Sequence, residues 1–429
     1  MLDRNWASLF ATLFLTTSLC AQTWPQYHGP DGSRRVTGAI DAQQLDAADN
    51  APLWVVPTTK GFSSFVVHDG RAYTLEARSD QECCVARDAK TGTELWVREL
   101  GKVKYDGGGD AGTPDNSGGD GPRSTPSCDA DRVYVFDAQL VLHCLDAKDG
   151  SVVFQKDLVA DHGAVNIRWQ NAASPLVEGR AVFVAGGGPG ASLLAFDKKS
   201  GDLLWKGHDE KITHATPIAA TLHGERQVIF YTQAGLVAVR PDNGELRWRA
   251  SYPFQISSAA SPIVDGSLVY VSAGYGVGAA VFEVLRDDEG AFDVQLLWRK
   301  PNKLMNHWST PLVKDGHLYG MFSFKKYGKG PLACVDLRSG ETRWSQEGFG
   351  PGNCILVGTT LVALSDKGEV VLADASPEGY HELARRDVLK GKCWSQPAFA
   401  DGKLYVRSTS EGACIALTAP AKPVKNEGR

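Results

Sequence analysis

The sequence predicts an all-β chain, an eight-bladed β-propeller of four-stranded blades, and three observations carry that expectation. The first is a recurring stretch seen most clearly at Ala86 to Trp96, A-R-D-A-K-T-G-T-E-L-W, a small residue followed by Asp, Gly and Trp at fixed offsets. The second is a Ser-Pro or Thr-Pro step that opens most repeats ahead of a short apolar strand. The third is a mismatch at the ends: Leu53-Trp54-Val55-Val56 reads as a last strand with no repeat before it, while the final repeat lacks its last strand. Lending the first to the second closes a ring and removes an open sheet edge.

The motif has a physical logic. Asp88 can turn its carboxylate onto the backbone N–H groups of a tight turn, as Asx turns do. Gly92 supplies the positive φ that a short hairpin loop needs. Trp96 is a large flat surface opposite the small Ala86, and the recurrence makes it a clamp between neighbouring blades. The clamp residues are Trp54, Trp96, Trp205, Trp248, Trp298 and Trp344.

Taken in order, residues 1–21 read as a signal peptide, with Arg4 ahead of an apolar run from Ala7 to Leu19 that is too short to span a bilayer. Cleavage is expected near Ala21. Cys20 would be the lipidation site of a lipoprotein, but Leu19 stands where that signal wants a small residue, so a lipid anchor is not expected. Residues 22–51, beginning T-W-P-Q-Y-H-G-P-D-G, form an arm expected to lie over one face of a single propeller domain at 52–419, with a tail at 420–429.

Repeats of roughly 45 residues follow, within the range of propeller blades. Blade 1 runs from Ser63 to Trp96. Blade 2 opens at Ser124-Thr125-Pro126 and ends C-L-D-A-K-D-G, with Phe154 replacing the Trp. Blade 3 runs from Ser174-Pro175 to Trp205, and blade 4 from Thr216-Pro217 to Trp248, with Arg240 in the Asp position. Blade 5 runs from Ser261-Pro262 to Trp298 with a longer turn, and blade 6 from Thr310-Pro311 to Trp344. The unit from Asn353 to about Ala384 lacks both Pro and Trp, which keeps seven blades open as the alternative. The last unit opens at Gln396-Pro397.

Composition bounds the function. A net charge of −5 disfavours nucleic acid and anionic membrane surfaces as partners, and after signal removal no apolar run is long enough to span a membrane. Of nine cysteines, removing Cys20 leaves eight, with no Cys-x-x-Cys spacing. Cys144 and Cys334 stand in the Ala86 position and read as small buried residues. The chain has no G-x-S-x-G elbow, H-E-x-x-H pair or phosphate loop.

In a propeller, the residues just before each Ser/Thr-Pro step gather at one mouth of the central channel. Here these include Arg123, Trp169, Asn171, His214, Asn306, His307, Trp308 and Trp394. Cations, amides and indoles together suit a flat anionic ligand; the same residues would also serve simply to satisfy strand ends. Glu76, Asp106, Asp110, Asp115 and Asp120 are the acids nearby in sequence, the last four in a Gly/Asp-rich insertion.

The repeats resemble the tryptophan-docking repeats of the pyrroloquinoline quinone (PQQ) propeller family. That family includes quinoprotein alcohol dehydrogenases and the propeller lipoprotein of the outer-membrane β-barrel assembly machinery. W-P-Q-Y-H-G-P after the signal, G-D-G-P-R-S-T-P at 119–126 and G-K-C-W-S-Q-P at 391–397 are similar to an exported subgroup of it. The resemblance covers nearly the whole mature chain and implies one of two functions. One is a non-catalytic binding scaffold in the periplasm or cell envelope, with envelope proteins or peptides as partners. The alternative is a PQQ-dependent dehydrogenase of alcohols or sugars, with the quinone and calcium in the channel. The resemblance also marks Cys83-Cys84 as a candidate vicinal disulfide, such as those dehydrogenases carry beside the cofactor. Cys414 is expected level with Cys84 in the last blade. No acid here aligns with the family's metal ligands or base, and no Cys-x-x-Cys-His haem site is present.

Overall fold

The computed structural model describes residues 23–47, 50–102, 121–167, 169–322 and 330–418. The expected signal peptide and the four insertion acids Asp106, Asp110, Asp115 and Asp120 lie outside them. The described chain forms eight sheets in a ring, so the count is eight blades. Blades 1 to 4 occupy residues 66–102, 127–157, 176–207 and 218–251. Blades 5 to 7 occupy 263–300, 312–346 and 353–387. Blade 8 takes 398–416 and is completed by the N-terminal strand Trp54–Pro57. That strand pairs antiparallel with Glu411–Ala416, Trp54 opposite Cys414 and Pro57 opposite Glu411. Proline is tolerated there because the strand is a sheet edge.

Burial explains the sequence pattern. Middle strands are covered on both faces by the neighbouring blades, so they read as continuous apolar runs: all eight residues of Ala181–Gly188 are buried. Outer strands meet solvent on one side, and Leu246–Ser251 alternates accordingly. First strands of neighbouring blades touch around the ring and therefore line its axis.

Two devices join the blades. At the rim, the docking aromatic of one blade covers the turn of the next. Trp54 lies over Gly92 and donates from Nε1 to Ala89 O at 3.1 Å. Trp205 does the same over Gly244 with Pro241 O, and Trp298 over Gly340 with Leu337 O, both at 3.0 Å. Phe154 covers Gly201 without an N–H to give. Trp344 donates to Ser376 O at 2.7 Å. Trp248 departs: its Nε1 donates to Gln227 Oε1 within its own blade at 2.7 Å. Blade 5 has the longer hairpin there, and its Gly290 meets only Arg286.

At the axis, the hydroxyl of a Ser/Thr ahead of the first strand, next to the Pro in every case but Ser64, accepts a hydrogen bond from the preceding blade's backbone. Ser64 N donates to Thr125 Oγ1, Thr125 N to Ser174 Oγ and Ser174 N to Thr216 Oγ1, each at 2.9 Å. Gln396 N to Ser64 Oγ at 2.8 Å and Ser261 N to Thr310 Oγ1 at 3.0 Å continue the belt. The belt satisfies strand-end donors that no ladder reaches.

The arm does not rest over one face; it enters the channel. Trp24 bridges to Val67 of blade 1, and Pro25 O accepts from Cys128 N of blade 2. Tyr27 O accepts from Gln396 Nε2 of blade 8, and His28 Nε2 lies 2.9 Å from Ser261 Oγ of blade 5. Arg34 is 2 % exposed and donates to Thr310 O, Asn353 Oδ1 and Cys354 O of blades 6 and 7. Arg35–Val36 then adds a parallel strand to the first strand of blade 7. A guanidinium needs acceptors, and the belt's carbonyls supply them at the axis, which draws the arm inward.

Candidate functional site

At the channel mouth, the candidates resolve into an amide pair that holds strand ends and an aromatic and cationic set. Asn171 and Asn306 are buried and fully committed. Asn171 Nδ2 donates to the carbonyls of Phe136, Asp137 and Ala173, and its Oδ1 accepts from Ala173 N. Asn306 Oδ1 accepts from Tyr270 OH at 2.8 Å while Nδ2 donates to Met321 O at 2.6 Å. Both hold strand ends in register.

The aromatic candidates form a ladder. Phe62 and Trp394 lie 4.8 Å apart, and Trp394 and Trp308 stack at 4.2 Å with 28° between their planes. His307 meets Trp308 edge-on at 5.1 Å and Tyr275 at 4.9 Å. Trp308 Nε1 donates to Pro351 O at 3.0 Å, and Lys392 Nζ sits 4.8 Å from the Trp394 ring centre. On the other side, Arg123 Nη1 donates to Trp169 O at 2.8 Å, and the Trp169 ring lies edge-on to His214 at 6.5 Å. His214 Nε2 is 2.8 Å from Gln170 O. Burial pushes His307 down to about 4; burial first, and then the Arg123 charge, push His214 down to about 3. Both imidazoles are therefore neutral near neutral pH.

Beneath Arg123 lies a group without a sequence motif. Glu82 and Asp137, 1 % and 2 % exposed, come together with His143, whose Nε2 is 2.9 Å from Asp137 Oδ2. Burial, followed by the Asp137 charge, holds the Glu82 carboxyl well above the usual carboxylate range. Asp137 Oδ1 accepts from Gln139 N and Val141 N, closing its own hairpin. Of the group, only His143 stands inside an apolar strand run, V-L-H-C-L, which is the one signal the sequence offered.

Glu76 is no free acid. It is 2 % exposed and contacts Arg78 at 2.9 Å and Arg87 at 3.1 Å. Cys83 and Cys84 are buried free thiols on one extended strand, where successive side chains point to opposite faces. Cys414 pairs with Trp54 as Ala86 pairs with Trp96, so it belongs level with Ala86 and not with Cys84.

These residues do not fit PQQ and calcium. The two indoles spend a face on each other, the buried amides bond strand ends, and Glu76 is ion-paired. Among the described residues, no group of three or more His, Cys, Asp or Glu is placed to hold a metal ion.

The comparisons with known proteins bear on the same choice. The family model described as "Outer membrane protein assembly factor BamB" matches residues 80–346. The outer membrane protein assembly factor BamB of Moranella endobia (strain PCIT) is 23 % identical over 281 residues, covering 62 % of this chain and 67 % of the relative. The protein of the same name from Yersinia pestis is 21 % identical over 313 residues, covering 68 % and 75 %. Among solved structures, quinohemoprotein alcohol dehydrogenase from Comamonas testosteroni superposes with a TM-score of 0.63 at 14 % identity, covering 93 % of this chain and 81 % of that one. That likeness is one of fold.

Proposed function

The chain belongs to the family of outer membrane protein assembly factor BamB, and from that premise we propose that it works as an exported, non-catalytic propeller scaffold in the cell envelope. Its partners on this reading are envelope proteins or peptides, in particular those that assemble outer membrane proteins. The observation that carries the reading is the commitment of the mouth's side chains. Trp308 stacks on Trp394, and the Asn171 and Asn306 amides are both buried and hydrogen-bonded within the strand ends. What is left for partners is the rigid surface that docked tryptophans hold in place. The scaffold would reside in the periplasm or at the envelope without a lipid anchor. Among the described residues, no helix is long and apolar enough to cross a membrane.

Exposed apolar positions on the outer strands are the natural places to look for contact. Leu53, just ahead of the completing strand, and Val55 within it are 47 % and 51 % exposed, and Leu95 of blade 1 is 46 % exposed. Photo-crosslinking in cells from these three positions should trap proteins of outer membrane assembly. Capture of none from any of the three, or from further outer-strand positions, would overturn the scaffold reading. The intact mass of the mature N-terminal peptide tests the anchor: a chain beginning after Ala21 supports its absence, and a lipid-modified Cys20 overturns it.

A further inference from the structure

The seam between blades 7 and 8 has neither half of the docking device. Ala384 pairs with Leu372 as Trp96 pairs with Ala86, and in both sheets the register shifts at the following residue, so Ala384 stands in the tryptophan position. On the facing side, the alignment of Cys414 with Ala86 puts Ala416 where the turn's Asp belongs. Alanine has no carboxylate to organise an Asx turn.

The arm fills the gap. After Val36 it runs outward to a short helix, Ala42–Asp46, capped by Asp41, whose carboxylate accepts from Gln43 N. Leu45 is fully buried in one apolar cluster with Leu372, Ala384, Leu404 and Leu417, and Ile40 packs against the same cluster. Asp41 N donates to Leu417 O and Asn50 Nδ2 to Ala416 O, each at 2.9 Å, pinning the strap to blade 8. Arg386 of blade 7 donates to the Leu45 and Asn50 carbonyls from the other side. A five-residue helix has no stability of its own, so only these contacts hold it.

We infer that residues 35–47 form a strap that replaces the tryptophan lid at the seam between blades 7 and 8, and that this seam is where the ring opens first when the strap lifts. The arm also bridges blades 6 and 7 through Arg34, but only between blades 7 and 8 does it cover a missing tryptophan. Asn353 Nδ2 also donates to Trp394 O at 2.7 Å near the axis, but the outer part of this seam is covered by an element held by a single buried leucine and a few hydrogen bonds. Local opening is drawn from such low-stability elements.

The test is amide hydrogen exchange on the full chain, comparing wild type with Leu45→Asp, Leu45→Ala and Trp205→Ala. Leu45→Asp should make the amides of Asn353–Val357, Glu382–Asp387 and Lys403–Arg407 exchange at least about tenfold faster while blades 2 to 4 keep their protection. Leu45→Ala should give the same pattern more weakly, which keeps the test open if the Asp variant does not fold. Trp205→Ala should instead move fast exchange to blades 3 and 4. Uniform acceleration around the ring, or unchanged exchange in blades 7 and 8 in both Leu45 variants, would overturn the strap.

Discussion

The Trp96 indole of blade 1 lies directly over Gly150 in the docking turn of blade 2. A Cβ built on Gly150 would sit 2.6 Å from the ring, and Trp96 Nε1 donates to Ala147 O at 3.0 Å. Gly150 has φ +72°, and the Asp146 carboxylate accepts from Lys148 N to shape the same turn. The glycine thus serves twice, as the left-handed residue of the turn and as the flat floor beneath the indole.

Gly150→Ala should therefore lift the ring from its seat and strain the turn. The expected loss is about 1–3 kcal/mol, the usual range for overpacking. Denaturant unfolding monitored by tryptophan fluorescence measures it. A neutral effect would mean that the indole is free to slide.

Arg407 plays the corresponding part where blade 8 meets blade 1. It is fully buried and donates to the carbonyls of Ser63, Thr59 and Leu75 and to Thr74 Oγ1. Arg407→Ala orphans those four acceptors at about 1–3 kcal/mol each, so a total loss of at least about 4 kcal/mol is expected. Arg407→Lys should rescue little, because an ammonium lacks the planar fork that reaches several carbonyls at once. The melting temperatures of the two variants decide this.

The mouth histidines set an acid limit. Their folded values, about 4 for His307 and about 3 for His214, lie below the ordinary value near 6.5. A depressed folded value means that the stability they permit is present above about pH 6.5 and is lost as the pH falls through the folded values. Unfolding free energy should accordingly decline from about pH 6.5 towards 4, and His307→Gln should flatten that decline. A pH series of chemical denaturation checks the slope.

Glu82 has the opposite sign. Its folded value is raised by burial and by Asp137, so its contribution is complete below the unfolded value and erodes as the pH rises through the folded one. Glu82→Gln should stabilise the protein on the alkaline side and change little in acid. A stability difference that is constant across the pH range would contradict the buried, protonated carboxyl.

Much of the fold was legible because the docking motif repeats. Gly-to-Trp spacing at Trp96, Trp205, Trp248 and Trp344 names the blades, and Trp54 without a blade of its own announces how the ring closes. Blade 7 left the count open because its lid comes from Leu45, 341 positions away from its anchor Arg386, and no local pattern records such a partner. The arm's path was hidden for the same reason: Arg34 reads as a surface cation until its acceptors at Thr310 and Asn353 are seen. At the mouth, sequence identified which residues gather but not that Trp308 and Trp394 would spend their faces on each other. Glu82 and Asp137 escaped notice because their pairing is set by neighbouring blades and by no motif.

The central claim, that this propeller works without chemistry in its channel, is tested most directly by titrating the purified protein with PQQ in the presence of calcium. Absorbance of the bound quinone and dye reduction with alcohols or sugars would be followed together. The account predicts no saturable quinone spectrum and no substrate-dependent dye reduction. Tight binding with turnover would contradict it.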